Sequence, residues 1–142
     1  NIPGAGAAGG IGGALGGVLG ASMVQGIQKV LDISGLDSKL ESCDIVITGE
    51  GRADAQTLRG KVPVGVLKYV RAHTVPVHRP KVILIAGQVS DRQQILNAGF
   101  DAVLQITPEG MPLSEALDPV TASANITQSM QSYLQQRCSG EK

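Results

Sequence analysis

The residues with the most chemistry in this chain lie in one short run, ITGEGRADAQT, residues 47–57. Glu50, Arg52 and Asp54 place three charges within five residues, Gln56 and Thr57 close the run, and Lys61 follows a short distance on. Gly49 and Gly51 release the backbone for a tight turn and for close approach of a ligand. A helix after the run would present unsatisfied N–H groups, a seat for anions. Carboxylates, a guanidinium and an ammonium beside free amides suit metal-assisted phosphoryl transfer, which depends on positioning and charge neutralisation. The same residues also fit a purely structural arrangement, in which Glu50, Arg52 and Asp54 satisfy one another and cap a helix. The string GRADAQTLRGK is not a P-loop. Ala55 stands where the first glycine is required, and Val62 replaces the Ser or Thr that holds magnesium.

Two weaker candidates flank this run. GAGAAG, Gly4 to Gly9, is a formal dinucleotide fingerprint, but that pattern has meaning only after a strand, and just Asn1, Ile2 and Pro3 precede it. It reads either as a glycine-rich entry to a tightly packed helix or as a set of amides for phosphate. The loop Gly87-Gln88-Val89-Ser90-Asp91 is expected to cap its helix through Ser90 and to border the site.

The elements that must carry these loops follow from periodicity. Three apolar runs of strand length stand at 43–49, 81–87 and 101–107, the first two nearly continuous in β-branched residues and Leu, as in strands buried on both faces. Helical patterns over 63–72 and 91–98 separate them. This order predicts an α/β fold: a parallel sheet with a Rossmann-like βαβαβ core, right-handed crossovers and flanking helices. Ahead of it, residues 7–21 and 23–34 read as helices, the first carrying a glycine stripe that must gain by close backbone approach, and a helical turn follows at 37–41. Ile126, Met130, Tyr133 and Leu134 predict a C-terminal amphipathic helix over one sheet face.

Composition narrows the function classes. The chain has 142 residues, enough for one domain, and nine of its 19 glycines fall in the first twenty positions. Twelve basic residues balance twelve acidic ones, which removes the electrostatic footprint of a nucleic-acid binder. Aromatic residues amount to 2%, too few for base-stacking platforms. Cys43 and Cys138 support no disulfide framework, and His73 and His78 have no ligand-spaced partner, so a zinc site is not expected. These features fit a reducing cytoplasm. No basic stretch precedes the apolar start, and its Gly/Ala content makes it a poor membrane span. The first residue, Asn1, leads us to expect a piece of a longer chain.

The run PGAGAAGGIG, then CDIVITGEGRADAQTLRGKVPVGV, KVILIAG and the later NAGFDAVLQITPEGMPLSEAL closely resembles, in this order, the bacterial type I glycerate kinases. The glycine-rich run alone is unspecific, whereas TGEGRADAQTLRGK is distinctive. The resemblance implies ATP- and magnesium-dependent phosphorylation of D-glycerate, usually at the 2-hydroxyl, in a two-domain enzyme whose site lies between the domains. Family members are considerably longer, so this chain is expected to be a C-terminal portion, inactive without the missing N-terminal part. Residues 1–42 would then be a glycine-rich loop and helical segment lining the interdomain cleft, and 43–142 the Rossmann-like domain.

The family motif maps onto Gly49, Glu50, Gly51, Arg52, Asp54, Gln56, Thr57, Gly60 and Lys61, with Ala53 where a larger apolar residue is common. Asp54 is the candidate to accept the glycerate hydroxyl proton, and Glu50 to hold magnesium. Arg52 and Lys61 would neutralise phosphate oxygens or clamp the substrate carboxylate. Gly4, Gly6 and Gly9 would let the backbone approach the nucleotide, and Gly49, Gly51, Gln56 and Thr57 would bind substrate or nucleotide. Two other classes compete: a non-catalytic nucleotide- or partner-binding module, and an NAD-linked oxidoreductase built on GAGAAG.

Overall fold

A computed structural model of the chain describes residues 4–24 and 26–140, and the side chains of these as far as Arg137. Pro3, which opens the glycine-rich motif, Gln25 in the second expected helix and the Cys138 side chain lie outside it. The described residues form an α/β fold: strands β1 (Ile45–Ala53), β2 (Lys81–Val89) and β3 (Ala102–Gln105) make one parallel sheet in the order β1-β2-β3. Helix α4 (Val62–His73) connects the first pair and α5 (Arg92–Asn97) the second. Two right-handed crossovers that step in the same direction put both helices on one face of the sheet. Accordingly, Leu67 and Val70 of α4, Ile95 of α5, and Val82, Leu84 and Ala86 of β2 share one buried core.

The helices α2 (Gly26–Ser34) and α3 (Leu36–Leu40) add Leu31 and Leu40 to that core. The α2–α4 crossing is close because Gly65 has no side chain. A Cβ there would lie 2.6 Å from Ile27. Across the back of the core, the Arg71 guanidinium donates to the carbonyls of Pro80 and Gly99 and to Asp101, whose carboxylate also accepts the Val82 N–H. This one cation ties the end of α4 to the starts of β2 and β3.

Other elements depart from the periodicity. The first expected helix, 7–21, is a 3-10 turn (Ala7–Gly10) followed by α1 (Ile11–Val18). Ala8, Gly9 and Gly10 take φ of +50°, +67° and +100°, and three left-handed residues in succession cannot continue an α-helix. Within the glycine stripe Gly12 does serve close approach, but to its own loop: a Cβ on it would sit 2.4 Å from the Gly4 carbonyl oxygen, whereas Gly9 and Gly20 have open space around them. Helix α6 is Leu113–Ala116, and α7 is Pro119–Gly140. Asp118 begins α7 by accepting the Thr121 N–H and hydroxyl. Those bonds, chiefly the backbone one, hold the Asp118 carboxyl below its ordinary range. The amphipathic stripe of α7 covers the second sheet face only loosely. Leu134 remains 42% exposed, and a cavity of about 420 Å³ separates Tyr133 from Leu104 and Ile106.

Candidate active site

The charged run is not a loop throughout. Strand β1 continues to Ala53, with Glu50 paired to Ala86, Arg52 to Gln88 and Ala53 to Val89. GEGRA is therefore extended backbone held against β2, and the loop expected beyond residue 49 begins only after Ala53. The reason is visible at the two glycine steps. A Cβ on Gly87 would lie 2.7 Å from the Gly51 carbonyl oxygen, so the strands approach there more closely than side chains allow. Glycine at 49 serves the same contact, since a Cβ would meet Ile85 at 3.1 Å.

Beyond Ala53 the chain turns back on itself through a small hydrogen-bonded unit. The Thr57 N–H donates to the Asp54 carbonyl at 2.9 Å, and the Gln56 N–H donates to Asp54 Oδ1 at 2.9 Å. Asp54 thereby closes an Asx turn around its own side chain. Thr57 is fully buried. Its hydroxyl accepts the Asp54 N–H at 3.1 Å and donates to Glu50 Oε1. A hydroxyl is suited to this place because it donates once and accepts at the same time. A 3-10 turn, Thr57–Arg59, and Gly60 at φ +93° then lead into α4 with Lys61 as its N-cap.

This path brings Lys61 back to the carboxylates. Its Nζ lies 3.6 Å from Glu50 Oε2 and 4.0 Å from Asp54 Oδ1, and Arg52 Nε lies 3.7 Å from Asp54 Oδ2. These separations exceed the 2.7–2.9 Å of charge-assisted hydrogen bonds. The four charges are adjacent without being locked, and solvated pairs of this kind contribute only about 0–1 kcal/mol to stability. Glu50 and Asp54 are 13% and 22% exposed, while Lys61 and Arg52 are 43% and 66% exposed. Fixed, half-buried carboxylates with movable cations over them can exchange the cations for a ligand's own charges. Among the described residues, no three His, Cys, Asp or Glu side chains come together to hold a metal. Two carboxylates remain compatible with Mg²⁺, which commonly takes one or two from protein and the rest from phosphate and water.

The other expected residues are placed as follows. Gln56 is exposed beside Asp54, and Gly51 is exposed on the strand. Gly4, Gly6 and Gly9 are exposed in the N-terminal turn. Among the described residues, no hydrogen bond or ion pair joins them to the charged cluster. Ser90 does not cap α5. Asp91 takes the N-cap position at φ +52°, and its carboxylate reaches across to the Ala55 N–H at 3.3 Å. The bond to Ala55 explains why a non-glycine residue holds a left-handed conformation there. Gln105 and Thr107, at the end of β3, were missed by sequence reasoning. The signal available was two polar residues at the carboxyl end of an apolar strand, where parallel sheets bind ligands.

The family model described as "Glycerate kinase family" matches residues 1–136. The chain is 43% identical over 116 residues to a glycerate kinase of Bacillus subtilis (strain 168), an alignment covering 81% of this chain and 29% of that protein. It is 46% identical over 116 residues to a glycerate kinase of Bacillus cereus (strain ATCC 10987 / NRS 248), covering 81% and 29%. A glycerate 2-kinase of Escherichia coli (strain K12) is 42% identical over 117 residues, covering 82% and 29%. The chain thus spans less than a third of these relatives. With the motif carried on a strand rim and the match running from one end of the chain nearly to the other, this chain belongs to the glycerate kinase family.

Proposed function

We propose that this chain supplies part of the active site of an enzyme that transfers the γ-phosphoryl group of ATP to D-glycerate, at the 2-hydroxyl, giving 2-phosphoglycerate. The observation that carries the reading is the Lys61 ammonium held between Glu50 and Asp54 at a sheet rim, with Glu50 fixed from behind by the buried Thr57 hydroxyl. Asp54 is the base for the acceptor hydroxyl: its Oδ1 is oriented by the Gln56 N–H, while the side chain stays 22% exposed. Lys61 meets the charge that spreads over the phosphoryl oxygens in transit, and Arg52, beside it, either shares that task or clamps the substrate carboxylate. Mg²⁺, bound through Glu50, would neutralise phosphate oxygens and help align them. Gly49 and Gly51 keep the rim open to ligand, Gln56 faces it, and Thr57 serves by holding Glu50. Gly4, Gly6 and Gly9 are assigned to the nucleotide phosphates.

Residues 1–42 line the cleft against a second domain outside this chain, and 43–142 form the domain that carries the charged rim. Exposed Ile11, Val18, Leu19, Val30 and Ile33 support this, since they form apolar surface of the kind that another domain covers. No helix among the described residues is long and apolar enough to cross a membrane. A cytoplasmic, ATP-supplied setting completes the reading. GAGAAG runs into a 3-10 turn, Ala7–Gly10, with Ala8, Gly9 and Gly10 left-handed, where a dinucleotide fingerprint would open an α-helix, and this counts against the NAD-linked alternative. Asp32, the acid at about the spacing from GAGAAG at which a dinucleotide site would hold the ribose, sits within α2 and accepts a hydrogen bond from Gln28.

The test is a coupled assay of ADP release by the full-length protein with ATP, Mg²⁺ and D-glycerate, with the product identified by ³¹P NMR. Formation of 2-phosphoglycerate is expected. ATP binding without glycerate-dependent ADP release would leave only a binding module.

A further inference from the structure

The charged cluster is not the only polar feature at this end of the sheet. The carboxyl ends of β1, β2 and β3 also border a cavity of about 290 Å³, lined among others by Arg52, Gln88, Ser90, Gln105 and Thr107. Arg52 belongs to both: its Nε faces Asp54 at 3.7 Å, and its side chain borders the cavity. Gln105 forms part of the wall. Its Oε1 accepts the Val89 N–H at 3.1 Å and its Nε2 donates to the Thr107 carbonyl at 3.0 Å, which joins the end of β2 to the loop after β3. The remaining polar groups have no such duty. Among the described residues, the Ser90 and Thr107 hydroxyls and the Gln88 amide form no hydrogen bond, although Ser90 and Thr107 are half-buried.

Half-buried hydroxyls left unpaired beside a guanidinium form a ready recognition surface. Its charge restricts the ligand. Arg52 is the one cation in the lining and Glu109, exposed at the margin, the one acid, so there is no excess of positive charge for a polyphosphate. Its size restricts it too, because pockets for drug-sized ligands run from roughly 300 to 1,000 Å³. A small acid with one carboxylate and one or two hydroxyls satisfies both limits.

We propose that this cavity is the acceptor subsite, in which Arg52 pairs with the carboxylate of the small hydroxy acid while Ser90, Thr107 and Gln88 hydrogen-bond its hydroxyls. The assignment rests on the glycerate kinase reading for the identity of the acid. Arg52 then links substrate to the Asp54 carboxylate, which brings the acceptor hydroxyl to the charged rim.

The test is calorimetric titration of D-glycerate, without ATP, into the full-length protein and into its Ser90→Ala/Thr107→Val double variant. Neither hydroxyl supports the fold, so the double variant should melt within about 2 °C of the parent. Its affinity for D-glycerate should fall at least about tenfold, the scale of two lost hydrogen bonds. Propionate, which lacks the hydroxyls, should bind both proteins equally weakly. Equal glycerate affinity in the two proteins, no glycerate binding to the parent, or a loss confined to ATP affinity would each overturn the subsite. Glycerate held through Ser90 and Thr107 without ADP formation on adding Mg-ATP would instead overturn the kinase reading and leave the subsite standing. Turnover at an unchanged glycerate KM in the double variant would do the reverse.

Discussion

The N-terminal turn and the rim of β1 are both built on glycine, yet they use it in different ways. At the rim, Gly87 lets β2 come within a distance of the Gly51 carbonyl that no side chain permits, and the charges carried there inherit the rigidity of the sheet. In the turn, Gly9 and Gly10 supply left-handed backbone, and a Cβ on Gly6, Gly9 or Gly10 would meet nothing within 4 Å. The rim is over-determined by pairing, by the buried Thr57 and by Asp91. The turn is fixed chiefly by its own local bonds, such as Ala7 N–H to Gly4 O and Gly13 N–H to Ala5 O. Glycine content is thus a poor guide to preorganisation; what the glycines approach is a better one.

The sharpest way to break this contrast is a matched pair of alanine substitutions read by thermal or denaturant unfolding. Gly87→Ala forces a Cβ against the Gly51 carbonyl and should destabilise the protein by about 3 kcal/mol, the upper range for overpacking. Gly6→Ala, with open space around it and φ of −78°, should stay within about 0.5 kcal/mol of the parent. Equal losses in both variants would erase the distinction.

Next in size is the chemistry assigned to the rim. Asp54→Asn should lower kcat about a hundredfold, some 2.7 kcal/mol of barrier, with KM values nearly unchanged. Near-normal turnover in that variant would remove Asp54 from the base role. A smaller effect is expected at Lys61, whose contacts of 3.6 and 4.0 Å are those of a loose, solvated pair. Lys61→Ala should cost about tenfold in turnover and raise KM for nucleotide or glycerate, while the melting temperature moves by no more than about 2 °C. A change confined to melting temperature would make the pair structural.

The smallest expected effect belongs to the back of the core and is read by pH. Burial pushes the Asp101 carboxyl up, but the Val82 N–H and the Arg71 guanidinium outweigh it and hold the group below its ordinary range. The stability this contributes is present above the ordinary carboxylate range and is lost as pH falls through the lowered folded-state value. Melting temperature should therefore drop on acidification more steeply in the parent than in Asp101→Asn. Identical acid profiles would show that Asp101 contributes nothing by its charge.

Much of this architecture was legible along the chain. The three strands and the two crossover helices follow from apolar runs of strand length and the helical patterns between them, and the closeness of Glu50, Arg52 and Asp54 follows from the short spacing of the charged motif. Apolar periodicity at Ala8, Ile11 and Leu15 makes the N-terminal helix too long, because it is blind to three left-handed residues. Propensity favours Ser90 as the cap of α5, because it cannot see that the Asp91 carboxylate is drawn to the Ala55 N–H, far away in sequence. The Gln105–Thr107 wall was not anticipated, because the third strand carries no motif of its own.

Residue types and local spacing alone determined which segments are strands, which charges lie together and which family the motif resembles, since each of these depends on neighbours a few positions apart. Only the tertiary structure decided that GEGRA is strand and not loop, that Thr57 is buried behind Glu50, and that Arg52 faces both a carboxylate and a cavity. Each of those depends on the parallel register between β1 and β2, and register is set by packing between segments that are distant along the chain.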